Sequence, residues 1–162
     1  MTVTESTIAT AEVSLNSSTT DPMAGNAAGS TESQPLTFEQ RREKGLHTAI
    51  AAAQAVADNR GQSIVVLDLC DLTAIFDYFV IATGTSQRQL RSMCDGVKDV
   101  LERNLSHKRY GVEGYEDSRW ILCDYGDIVV HLLDEESRKY YALEDLWAGA
   151  RNVDLTGRVH IK

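Results

Sequence analysis

Residues 118 to 147, SRWILCDYGDIVVHLLDEESRKYYALEDLW, gather Trp120, Asp124, Asp127, His131, Asp134, Glu135, Glu136 and Arg138 into one stretch. Carboxylates beside a histidine can hold a metal or move a proton, whereas tryptophan, tyrosine and arginine can anchor another macromolecule. Spacing argues against the first kind of chemistry. His131 has no second histidine at strand spacing, and Asp124 and Asp127 flank a turn, so no converging metal set is expected. His107, His131 and His160 are scattered, and no serine or cysteine stands in a nucleophile elbow, so acyl transfer is not expected either. No metal or cofactor is expected. Cys70, Cys94 and Cys123 are odd in number and form no C-x-x-C pair. They read as small buried apolar residues suited to a reducing compartment, not as a disulfide framework.

The elements that position these groups follow from pattern. Thr37-Phe38-Glu39-Gln40 resembles a capping box, and the Ala-rich run to Asn59 predicts a helix that stops at Gly61. SIVVLDL (63–69) and DYFVIATG (77–84) predict strands interior to a sheet. Ser86 opens a second helix to about Asn104, and YGVEGYEDS (110–118) reads as a connector. RWILCD and DIVVHLL flank Tyr125-Gly126, which predicts a hairpin with Trp120 opposite His131, Leu122 opposite Val129 and Cys123 opposite Ile128. One face then holds Ile121, Cys123, Ile128 and Val130 and belongs to the core. The other holds Trp120, Leu122, Val129 and His131 and has the mixture of a contact surface. EESRKYYALEDLW predicts a last helix with Tyr140, Leu143 and Trp147 as one packing stripe and Arg138 and Tyr141 beside it. The order helix-strand-strand-helix-strand-strand-helix makes an α/β (α+β) domain, a small mixed sheet with helices packed on it.

Composition narrows the partners. All 16 Lys and Arg lie at or after Arg41, so the net charge of -8 leaves the main domain nearly balanced. Little direct nucleic-acid binding is therefore expected. Residues 1–36, rich in Ser, Thr and Gly and carrying Pro22 and Pro35, are expected to be an acidic tail without a packed core. Residues 37–148 make the domain, and 149–162 form a C-terminal tail of undetermined order. No membrane span or secretory signal is read, and the cytosol is the expected compartment.

ATGTSQRQL (82–90), VLDLCDLTAIFDYFVI (66–81) and GVEGYEDSRWILCDYGDIVVHLLDEESRKYYALEDLW (111–147) together resemble the Iojap family of bacterial ribosomal silencing factors. The resemblance implies a nucleotidyltransferase-like fold without enzymatic activity. It also implies binding to protein fourteen of the large ribosomal subunit, where the protein would block joining of the small subunit and repress translation. The implied contact residues are Trp120, His131, Arg138 and Tyr141, and local geometry adds Leu122 and Tyr125. A homodimer is a second use of the same surface. The alternative is a nucleotidyltransferase-like enzyme or nucleotide-binding protein using Gly84-Thr85-Ser86. Against it, the carboxylate pair such chemistry needs is not found on the strand just downstream, since the next acids are Asp95 and Asp99.

Overall fold

Thr37 opens the first helix as its sequence predicts. In the computed structural model, which describes residues 35–116 and 119–160, helix α1 spans Phe38–Asp58. The Thr37 hydroxyl accepts from the Gln40 amide at 3.3 Å and the Gln40 side chain accepts from the Thr37 amide at 2.9 Å, so two otherwise orphaned donors are satisfied. At the other end Gly61 N–H donates to Val56 O and Arg60 N–H to Ala57 O, the pattern of a Schellman turn. The left-handed residue is Arg60, with φ 60°. Gly61 is required by space, since a Cβ there would lie 2.3 Å from Val56 Cγ1 and 2.8 Å from Met93 Sδ. Apart from Pro35 and Leu36, the tail expected over residues 1–36 lies outside the described residues.

Strands β1 (Gln62–Asp68), β2 (Tyr78–Thr83), β3 (Gly111–Glu113), β4 (Trp120–Asp124), β5 (Ile128–Leu133) and β6 (Arg151–Asn152) form one sheet in the order β3-β4-β5-β2-β1-β6. β2 and β5 run parallel, and the other neighbours are antiparallel. Every residue of β2 and β5 is buried, which is what uninterrupted apolar runs encode for strands covered on both sides. Helix α1 and helix α2 (Gln87–Lys98) pack on one face, over a core that includes Ala52, Val56, Val80, Leu90, Met93, Cys123 and Val130. The alanines of α1 let its backbone approach the sheet closely. On the other face Leu67, Phe79, Ile81, Val129, Leu133 and Leu143 form a second cluster, under the short helices α3 (Glu135–Tyr141) and α4 (Leu143–Leu146).

The α/β architecture is the expected one, with three departures and one segment, left open by the sequence, that is partly ordered. The 110–118 connector contributes an edge strand, β3, paired with β4 through Val112 and Cys123. The second helix changes to a π-helical turn over Asp99–Asn104. Within the C-terminal segment, Arg151 and Asn152 pair with Asp68 and Leu67, and Val153, Leu155 and Val159 pack on the α1 side. The last predicted helix is broken at Ala142, whose φ of 43° and ψ of 52° are left-handed. That break removes Tyr140 from the predicted stripe and leaves it 82% exposed, while Leu143 and Trp147 pack against the sheet.

The hairpin register also differs from expectation. Trp120 pairs with Leu133, Leu122 with His131 and Cys123 with Val130, because the tight loop is Gly126-Asp127 instead of Tyr125-Gly126. Tyr125 N–H donates to Ile128 O at 2.9 Å, and Gly126 takes φ 88°, the positive value that a type II′ hairpin asks of its first loop residue. Each β4 residue therefore meets a partner two positions further along β5. An even shift leaves the faces unchanged, and Ile121, Cys123, Ile128 and Val130 do lie in the helix-covered core.

Candidate docking surface

The outer face of the β4-β5 hairpin is continued by α3. Asp134 starts that helix by accepting from the Ser137 amide at 2.8 Å, and Arg119 pairs with Asp134 at 2.5 Å and Glu136 at 2.6 Å. Burial works the other way, yet the Ser137 amide and the Arg119 guanidinium hold Asp134 below the usual carboxylate range. The left-handed turn at Ala142 then folds α4 back so that Glu144 meets Arg138.

Arg138 is mostly buried and ties three segments together. Its Nε and Nη2 donate to Glu144 Oε1 at 2.9 and 2.5 Å, and its Nη1 donates to Ser63 O at 2.6 Å and to Thr83 Oγ1 at 2.8 Å. Ser63 has φ 48° and lies where the β1-β2 register slips between Gln62 and Val65. This bulge presents a carbonyl that an unbroken ladder would not. Arg138 thus braces the surface from beneath. Its partners Ser63, Thr83 and Glu144 were not legible as site residues, because a six-residue separation within one straight helix would not bring Arg138 and Glu144 together.

His131, expected at the surface, is 5% exposed. The Trp120 indole N–H donates to its Nδ1 at 3.3 Å, so the neutral ring carries its proton on Nε2. Burial pushes the His131 pKa down to about 4, against an upward pull from Glu144. Its Nε2 finds no hydrogen-bond partner among the described residues. Phe79 lies edge-on to the ring at 4.8 Å. Trp120 itself is half-buried, and its ring lies tilted against Tyr141 with centroids 4.7 Å apart, with Tyr140 edge-on to Tyr141 at 5.1 Å. Leu122 is half-buried beside them. Tyr140 and Leu146 are exposed, as is Tyr141 in part. Tyr125 departs from expectation most: it is 1% exposed and belongs to the helix-side core.

Chemical groups elsewhere are engaged internally. Ser86 caps α2 by accepting from the Gln89 amide at 3.3 Å, and the amide and hydroxyl of Thr85 both donate to Gln89 Oε1, at 2.7 and 2.9 Å. The carboxylates absent just downstream of Gly84 in sequence do arrive in space. Asp134 and Glu136 share a cleft of about 330 Å³ with Gly84 and Thr85, because the parallel pairing of β2 and β5 brings the two strand ends together. Arg119 already pairs with both acids. Among the described residues no group of three or more His, Cys, Asp or Glu is placed to hold a metal ion, and no helix is long and apolar enough to cross a membrane.

Fold and site together define a small mixed-sheet α/β domain that carries an arginine-braced aromatic patch on one face. Residues 42–162 match the family model described as "Ribosomal silencing factor during starvation", and the chain belongs to that family. It is 39% identical over 107 residues to a ribosomal silencing factor of Halalkalibacterium halodurans, covering 65% of this chain and 90% of the relative. It is 34% identical over 97 residues to an Iojap-related mitochondrial protein of Arabidopsis thaliana, covering 57% and 52%. A crystal structure of a Chromobacterium violaceum protein matches with a TM-score of 0.61 at 34% identity, covering 67% of this chain and 89% of that one.

Proposed function

We propose that the chain represses translation by binding the large ribosomal subunit through ribosomal protein fourteen and sterically blocking the small subunit. The observation that carries this reading is the continuous patch of Trp120, Leu122, Tyr140 and Tyr141 on the outer face of the hairpin and α3. Large rings with one polar handle, held rigidly and rimmed by charge, are the side chains that dominate protein interfaces. Trp120, Leu122 and Tyr141 make the contact, while His131 and Arg138 position it from below and Tyr125 supports the hairpin from the opposite layer. A standard interface buries about 800 Å² per partner, which a domain of this size can supply without any reaction centre.

On this reading the chain is not an enzyme, acts in the cytoplasm and does not need residues 1–36 to bind. A homodimer through the same patch would compete with the ribosome. The experiment is co-sedimentation of the purified chain with large subunits, followed by addition of small subunits. Binding with exclusion of the small subunit is expected, and full subunit joining at saturating protein would sink the proposal.

A further inference from the structure

Cys94 lies on α2 and Cys123 on β4, 29 residues apart in sequence, yet their sulfurs are 3.3 Å apart. Neither has exposed surface. The third thiol, Cys70, stands apart from them, with its sulfur 3.6 Å from Asp77 O. A disulfide needs a sulfur separation of about 2.05 Å, so closure requires the pair to approach by about 1.3 Å. Helix and strand face each other across the core at this point, and the displacement is shared between two elements.

We propose that Cys94 and Cys123 form a redox modification site, a dithiol that closes to an intramolecular disulfide when oxidised by a hydroperoxide. In the first step a thiolate sulfur attacks one peroxide oxygen. The O–O bond breaks, hydroxide leaves and takes up a proton, and a sulfenic acid remains. In the second step the other sulfur displaces that hydroxyl: the S–O bond breaks, the S–S bond forms, and a second water leaves with the remaining proton. Two thiols lose two electrons and two protons, and hydrogen peroxide is reduced to two waters.

With Cys123 as the donor of the sulfur–sulfur hydrogen bond, Cys94 is the first attacker: that bond favours its thiolate, while burial and the neighbouring Asp95 carboxylate oppose it and Arg109 and Lys98 add positive charge nearby. Cys123 is correspondingly held as the thiol. The closed bond would fasten α2 to the strand whose opposite face carries Trp120 and Leu122. Oxidation therefore pins the docking hairpin to the helical layer. Burial slows entry of the oxidant and, equally, protects the finished bond from bulky reductants.

The test uses the folded full chain, treated with hydrogen peroxide, then unfolded in N-ethylmaleimide, digested and mapped by mass spectrometry. The peptides containing Cys94 and Cys123 should appear as one linked species, two hydrogens lighter than their sum, with both maleimide labels lost and dithiothreitol restoring them. Retention of label on Cys94 and Cys123 under conditions that oxidise Cys70 overturns the proposal. So does linkage of either cysteine to Cys70 or to another chain. The Cys70→Ser variant, which keeps the pair, must still yield the linked species, and Cys123→Ser must abolish it.

Discussion

The Trp120 indole donates to Nδ1 of His131 across 3.3 Å, although the two residues are not cross-strand partners. They meet on a diagonal, since Leu122 is the residue opposite His131. The bond ties the half-exposed ring of the outer patch to a neutral histidine within the sheet.

Trp120→Phe keeps a ring against Tyr141 but strands Nδ1 of His131 without a donor. Folding stability should fall by about 1 kcal/mol, measured by urea melts. Trp120→Ala should weaken co-sedimentation with large subunits by about 2 kcal/mol or more. An unchanged affinity in a variant that remains folded would remove Trp120 from the interface.

The depressed pKa of His131 makes stability pH-dependent. Its folded value is about 4 and its unfolded value about 6.5. Between these the unfolded chain binds the extra proton, so the stabilisation is fully present above about pH 6.5 and is lost as pH falls towards 4. The integrated loss is on the order of 3 kcal/mol. Asp134, held low in the native state, adds a loss of the same sign at lower pH. Urea midpoints between pH 4 and 7 should therefore fall less steeply in His131→Gln than in the parent, and parallel curves would contradict the assignment.

Arg138→Lys should not rescue Arg138→Ala. One ammonium cannot span Glu144, Ser63 O and Thr83 Oγ1 as the guanidinium does. Both variants should lose about 2 kcal/mol of stability. If binding falls while the patch side chains are untouched, the residue acts as a brace. Full retention of stability by the lysine variant in thermal melts would show that the network contributes little.

Transfer of a labelled nucleotide in the presence of Mg²⁺ is not expected, because the three acids lining the cleft beside Gly84-Thr85 are already paired, Asp134 and Glu136 with Arg119 and Glu135 with Lys139. Turnover that disappears in Ser86→Ala would reverse this reading and place the chain among enzymes.

The sequence was most legible where a signal is local. Thr37 and Gln40 announce the first helix through side-chain bonds three residues apart, and the alternation Ile121, Cys123, Ile128, Val130 identifies the core face despite a misplaced turn, since the error was even. What depended on distant partners was not legible. Gly111–Glu113 becomes a strand only because β4 offers it an edge, and Arg151-Asn152 only because β1 does. Tyr125 reads as a loop tip until the loop is seen to start one residue later. Arg138 reads as a contact residue and not as a brace, because its acceptors come from a bulge, a neighbouring strand and a helix beyond a left-handed alanine. Cys94 and Cys123 carry no spacing that would have linked them.

The parallel seam between β2 and β5 has a consequence for how the chain is made. Tyr78 waits for Ile128, and no short hairpin can bring them together. During synthesis β2 therefore presents an apolar, unsealed edge until the β4-β5 hairpin has emerged, a situation that favours association between nascent or truncated chains. Fragments ending before Ile128 should scatter light at concentrations where the full chain stays clear, while fragments that include β5 should not. Nascent chains are thus most exposed to one another in the interval before the seam closes.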